Sequence, residues 1–445
     1  MDLGSWSLIQ APSLWALIPL IVMIVLAFRG KNNVSALMVG IIISALMMGQ
    51  DPGMLAGAFK SALGSSTALI GVIIMTGAGL GVLMTETGVT QTMLYWIVKR
   101  IGVNTQTKAK ISLIVSSILI CGLLGTLGGG NAVISPIILP IMASLGVTPT
   151  VTAALFKTAG EIGLILGPLT GVTLITMEVT GLTYGQLMLQ AALPFAAVWL
   201  IGTWIGCKRA QKLTEGKEFF SMSDDVKNLD DYKPGAKEIR TTILFLISFL
   251  ALIVYGIFTK QGTNYALCVM IILAVLLTIF AWIDMDVAVK AMTKGVASQA
   301  NIFMVFITIE VLLNYVTLGG GFDALSNLLG SFAAGSGGAT GVMLVASVVG
   351  GFGIEAAAVA EIKIIAEMFG QLALETGLPM GCFAVAILAA TRLTGSMYPT
   401  SNFAGQMGTA QCTNTKGVLQ ALWVGVGFAW VFVALYAFIG PMILG

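Results

Sequence analysis

The sequence predicts an all-α, polytopic membrane protein, and three observations carry that prediction. Only 9% of the 445 residues are charged, 57% are hydrophobic and the mean hydropathy is +0.97. A soluble domain keeps roughly 25% charged residues to cover its surface, so a chain this poor in charge must face lipid. Apolar runs close to the ~20 residues that cross a bilayer recur along the chain. The one long hydrophilic stretch, 208–239, falls near the middle and divides two apolar halves, 1–207 and 240–445.

Read in order, the apolar runs of the first half lie at about 13–28, 33–49, 67–84, 109–126, 151–167 and 185–206. Those of the second half lie at about 240–259, 264–283, 301–317, 379–395 and 417–440. Two more, about 128–145 and 352–374, are interrupted by glycine or bear charge, and they read as re-entrant hairpins or broken helices. The abundance of glycine, 54 residues, suits both close helix contacts and helix breaks. The first run lacks the basic segment that precedes a cleavable signal core, so it reads as a retained transmembrane helix.

Basic residues set orientation. Arg29 and Lys31 follow the first run, Lys99, Arg100, Lys108 and Lys110 precede the fourth, and Lys208 and Arg209 follow the sixth. Placing them all inside is self-consistent. It puts the N-terminus outside, the linker in the cytoplasm and the two halves in opposite topology across an inner membrane. An internal repeat agrees. The segment from Asp51 to Thr76 aligns with that from Asp284 to Glu310, setting Lys60 opposite Lys294. The run Glu161–Pro168 (EIGLILGP) aligns with Arg392–Pro399 (RLTGSMYP), and a Thr/Ser-containing stretch follows each.

Composition also excludes chemistries. Histidine is absent, which removes histidine metal sites, Ser-His-Asp triads and histidine proton shuttles together. The five cysteines show no CxxC spacing, so no zinc site or disulfide framework is implied. A net charge of +2 without a basic run gives nucleic acid nothing to bind. No catalytic residue set is visible, and no cofactor is expected beyond sodium as a coupling ion.

Candidate binding groups sit where the helices should break. The Gly128–Asn131 tip (GGGN) offers Gly129, Gly130 and Asn131; its partner, VGGFGIEAAA, offers Glu355. After the matched prolines, Pro168 and Pro399, come Thr170 and Thr173 in one half and Thr400, Ser401 and Asn402 in the other. Proline removes a backbone donor and frees carbonyls, and carbonyl and hydroxyl oxygens suit a hard cation. Sodium is therefore expected near Asn131, Thr170, Thr400 and Asn402.

Charges inside the bilayer cost about 2.5–3.5 kcal/mol each on insertion scales, so they are functional suspects. Arg392 stands alone between Glu375 and Lys416, and its fork suits a carboxylate substrate or, alternatively, Glu161. Glu161 follows Lys157 by four residues, so a local ion pair competes with a coupling role. Glu310 lies mid-helix with Asn314 one turn on, a candidate proton carrier or a carboxylate simply satisfied by its neighbours. Glu361, Lys363 and Glu367 read as a wetter, self-paired patch.

From Gly125 to Pro194 the order is GTLGGGN, PIILPIM, AGEIGLILGP, a Thr-rich stretch and GLTYGQL. This order resembles the ion transporter superfamily, which includes TRAP large membrane subunits, gluconate permeases, citrate and dicarboxylate carriers and related Na⁺/H⁺ antiporters. The resemblance implies an elevator-type inverted repeat with a scaffold and a mobile transport domain, a homodimer, and a site at the hairpin tips and helix breaks. It implies ion-coupled carriage of a small organic anion, with a Na⁺/H⁺ antiporter or a tripartite-transporter subunit as the alternatives. The Ser-Asn-Thr tips of the dicarboxylate/sodium symporters are replaced here by GGGN and GIE.

Overall fold

The computed structural model describes residues 2–29, 31–221, 233–259, 261–325, 327–328, 338–351 and 358–444. The described residues form helices joined by short turns. The first half contains α1 (Ile18–Phe28), α2 (Asn33–Met47), α3 (Pro52–Leu63), α4 (Ser66–Glu86), α5 (Val89–Ile101), α6 (Gln106–Leu124), α7 (Leu127–Ser144), α8 (Pro149–Leu166), α9 (Gly171–Thr180) and α10 (Tyr184–Thr214). The second contains α11 (Ala236–Phe258), α12 (Asn264–Ala281), α13 (Met285–Ser298), α14 (Ala300–Leu318), α15 (Ala339–Gly351), α16 (Ala358–Glu375), α17 (Met380–Arg392), α18 (Ser401–Thr409) and α19 (Thr415–Leu444).

Among the described residues eight helices are long and apolar enough to cross a membrane, or nine if the bent pair α8 and α9 counts as one span. The expected spans over α1, α2 and α17 are shorter than a full crossing. The expected break within 128–145 is instead a continuous α7, with Pro136 and Pro140 inside it and the glycines in its first turn. α6 and α7 make a hairpin closed by Gly125, whose φ of +65° only glycine adopts freely. α10 runs seven residues into the hydrophilic stretch, because basic side chains can snorkel to water at a helix end. Residues 222–232 of that stretch lie outside the described residues. α5 was not anticipated: it is short, amphipathic and bounded by left-handed glycines, Gly88 and Gly102.

The aligned repeat reappears in the helix caps. Asp51 caps α3 by accepting from Met54 N, and its counterpart Asp284 caps α13 by accepting from Asp286 N. The packing then exchanges partners between halves. α3 packs on α14 while α13 packs on α4; α9 packs on α16 while α18 packs on α7; α8 touches α19 while the start of α10 touches α17. The centre lies at α8 and α17, where almost every residue is buried. α11, at the periphery, is apolar and has few buried residues, as a lipid-facing helix must.

Glycine spacing explains the close contact between α6 and α8. A Cβ on Gly163 would stand 2.6 Å from the Ile118 carbonyl oxygen, and one on Gly167 would stand 2.4 Å from that of Gly122. The AGEIGLILGP run therefore lets the hairpin lie backbone to backbone against the helix that carries Glu161.

Candidate functional site: two helix breaks joined by buried charges

α8 and α9 meet at a 47° bend. Pro168 cannot continue the backbone ladder, so the last carbonyls of α8 need other partners. Thr170 Oγ1 donates to Leu164 O at 2.5 Å and accepts from Thr173 N at 3.3 Å, capping α9. Thr173 Oγ1 donates to Ile165 O at 2.9 Å, and Tyr184 OH donates to Leu166 O at 2.7 Å. Three hydroxyls thus stand in for the missing donors, which makes broken backbone tolerable away from water. The sequence signal for Tyr184 is the TYGQ turn that caps the next helix.

The second break mirrors the first. α17 ends at Arg392, a short 3₁₀ turn covers Thr394–Ser396, and Thr400 caps α18 by accepting from Phe403 N. Trp423 Nε1 donates to Met397 O at 2.9 Å. Ser396 Oγ is fully buried and has no partner among the described residues. Ser401 opens α18, while Pro399 and Asn402 are exposed.

The charges of the two breaks meet. Glu161 Oε1 accepts from Lys157 Nζ at 2.8 Å and Oε2 accepts from Arg392 Nη1 at 2.9 Å. Lys157, Glu161 and Arg392 are 1%, 2% and 5% exposed, so this is a protein-internal cluster. Arg392 Nε also donates to Thr391 Oγ1. Arg392 is therefore engaged by a carboxylate of the chain itself, and by the residue aligned with it in the repeat. A low dielectric favours such pairing over a charge left waiting for a ligand.

Asn131 ties the hairpin tip to the second break. Its Nδ2 donates to Phe156 O (2.9 Å) and Gln406 Oε1 (2.7 Å), and its Oδ1 accepts from Ser117 Oγ (2.6 Å) and Cys121 Sγ (3.5 Å). Its amide is fully committed to protein. The structure sets Gln406, one turn beyond Asn402, against Asn131; the sequence signal was a glutamine in i+4 register on the same short helix. Gly130 sits in close contact with Cys121, whereas Gly128 has open space beside it; a Cβ on Gly129 would meet Thr126 Oγ1 at 2.5 Å. Glu355 lies outside the described residues.

Glu310 has a different surrounding from the one its helix suggested. It accepts from Thr67 Oγ1 at 2.6 Å and from Lys363 Nζ at 2.9 Å, bridging α14, α4 and α16. Lys363 thus reaches across to another helix. Close by on α4, Ser66 Oγ donates to Glu178 of α9. Ser66, Thr67 and Glu178 were not singled out in sequence; serine and threonine on an apolar helix gave no warning of two carboxylate partners.

A cavity of about 500 Å³ lies beside the first break, between Pro168, Leu169, Glu178 and Tyr184 on one side and Ile257 and Tyr265 on the other. Among the described residues that line it, Glu178 is the one charged group. Among the described residues no cluster of acids and cysteines could hold a metal ion.

Two broken helices whose breaks meet inside a multi-pass bundle, the first beside the α6–α7 hairpin, define a transporter-type membrane protein. The comparisons make this specific. The family profile of the "Tripartite ATP-independent periplasmic transporter, DctM component" matches residues 8–440, and the chain belongs to that family. Its fold is similar to the YdaH transporter of Alcanivorax borkumensis, described as having an unusual topology (TM-score 0.60, 15% identity, 88% of this chain and 90% of that one). It is also similar to MtrF of Neisseria gonorrhoeae, described in terms of a class of antimetabolite efflux pumps (TM-score 0.63, 15% identity, 100% and 97%). No curated protein matches the chain in sequence.

Proposed function

We propose that this chain is the membrane component of a tripartite secondary carrier that moves a small organic anion, a carboxylate or a hydroxy or sugar acid, coupled to Na⁺ or H⁺. The observation that carries this reading is the meeting of the two breaks: Glu161 and Arg392, aligned in the repeat, pair at 2.9 Å beside Lys157. Two cations converge on one carboxylate there, and an incoming carboxylate exchanges with Glu161 for the guanidinium of Arg392. Ser396 Oγ, buried without a partner among the described residues, supplies a further hydroxyl at the second break.

Coupling has two candidate places. The oxygen-rich first break, with Thr170, Thr173 and the carbonyls of Leu164 and Ile165, suits sodium once the hydroxyls turn away from those carbonyls. Glu310 suits a proton: Lys363 belongs to a hairpin helix and Thr67 to α4, so movement of α16 against α14 would strip the carboxylate of its cation. The exchanged packing partners support an inverted duplication in which the hairpins and broken helices, α6–α10 and α15–α19, form a body that moves against α1, α2, α4 and α14. We place the protein in the inner membrane as a homodimer on the same reading.

The test is uptake of radiolabelled carboxylates into proteoliposomes, with imposed Na⁺ or proton gradients, with and without the cognate soluble binding protein and small membrane subunit. Gradient-driven uptake that needs those partners supports the proposal. Sodium-driven proton flux with no carboxylate uptake under any condition would replace it with an antiporter. If Arg392→Lys takes up carboxylate at the wild-type rate, the exchange at Arg392 is wrong.

A further inference from the structure

We propose that the cleft between the C-terminal end of α10 and the N-terminal end of α19 binds the headgroup of an anionic phospholipid from the adjoining leaflet. The two helices are pinned at Gly206, where a Cβ would stand 2.0 Å from the Ala421 carbonyl oxygen. Between the basic end of α10, with Lys208, Arg209 and Lys212, and the start of α19, with Lys416, a cleft of about 560 Å³ remains. That volume lies in the range of small-ligand sites.

The cleft is amphipathic in the sense a phospholipid requires. Arg209 lines it from α10 and Lys416 from α19, and among the described residues neither makes an ion pair or hydrogen bond. Among the described residues, the two acids that follow α10 take neutral partners and pair with neither cation. Glu215 accepts from Gln106, and Glu218 accepts from Thr150 and from Asn414. The lateral walls include Leu213 and Trp423, 53% and 51% exposed, which present apolar surface to the flank of the bundle. Tryptophan favours the headgroup level of a bilayer, and unpaired basic residues beside it attract anionic lipid. A soluble anion would use the two cations and leave the apolar walls uncovered; a lipid covers both. The indole of Trp423 also holds Met397 O, so an occupant of this cleft sits one hydrogen bond from the second break.

The experiment is native mass spectrometry of the delipidated, detergent-solubilised protein. It is titrated with phosphatidylglycerol, or with phosphatidylcholine of the same acyl chains, and in a separate arm with inorganic phosphate. Phosphatidylglycerol should be retained well above phosphatidylcholine. Arg209→Gln/Lys416→Gln should reduce retention to the phosphatidylcholine level, and the charge-conserving Arg209→Lys/Lys416→Arg should keep it. Equal retention of the two lipids by the wild type overturns the proposal, as does undiminished phosphatidylglycerol retention by the glutamine variant. Displacement of the lipid by millimolar phosphate also overturns it, because a soluble anion would then be the occupant. Both side chains are exposed, so folding of the variants is expected to be unaffected; a charge-conserving pair that loses retention while eluting as a monodisperse peak counts against the site.

Discussion

Glu161 is the residue on which the two halves lean most directly. Its two oxygens are divided between Lys157 and Arg392, and all three side chains are buried. Removing one member of such a group strands the others in a low dielectric, at a cost of about 3–5 kcal/mol. Glu161→Gln should therefore lower thermal stability by that order and stop transport. Adding Arg392→Gln to it should restore part of the stability without restoring uptake. Melting of the single and double variants measures both, and additive losses would show that the pair is uncoupled. Asn131 is a second such point. Asn131→Ala leaves Gln406, Ser117 and Phe156 O without their partner, and each buried orphan costs about 1–3 kcal/mol. A fall in melting temperature that Gln406→Leu partly offsets is the expected result.

Helix breaks and helix contacts are matters of element scale. The first break persists because Thr170, Thr173 and Tyr184 occupy the carbonyls that Pro168 leaves open. Thr170→Val keeps the shape and removes the hydroxyl. It should destabilise by about 1–3 kcal/mol and abolish any sodium dependence of uptake. The α6–α8 contact depends on backbone approach, so Gly163→Ala should cost about 1–3 kcal/mol through overpacking. Gly185→Ala, with nothing within 4 Å of the added carbon, should cost far less. Comparing the two in the same melting assay separates close approach from the general effect of replacing glycine. Much at this scale was legible. The run EIGLILGP marked where α8 would end, and GTLGGGN marked a hairpin tip. What could not be read was that α7 would start at those glycines and continue through two prolines, because its neighbours supply the packing a proline-bearing helix lacks by itself.

Over the whole molecule, contacts come in exchanged pairs between halves, and among the described residues the Lys363–Glu310 ion pair joins α16 to α14. If the hairpin body moves against α4 and α14, that pair must open in every cycle. In a background without native cysteines, Glu310→Cys with Lys363→Cys should be joinable by a short thiol crosslinker. Joining should halt transport and reduction should restore it. Transport that continues at full rate with the link in place would mean that α16 and α14 do not part.

The amino-acid sequence alone determined the environment and the two breaks at Pro168 and Pro399. Each follows from local composition: too little charge for water, and proline where a helical ladder cannot continue. It also singled out Glu161, Arg392, Asn131 and Glu310, because polar groups in apolar runs are conspicuous. Only the tertiary structure decided their partners. Arg392 found Glu161 at a separation of 231 residues, Asn131 found Gln406 at 275, and Glu310 found Lys363 and Thr67 on two other helices. The reason is physical: a buried charge or amide takes whichever complementary group the packing brings within about 3 Å, and sequence spacing carries that information only within a turn or two of the same helix.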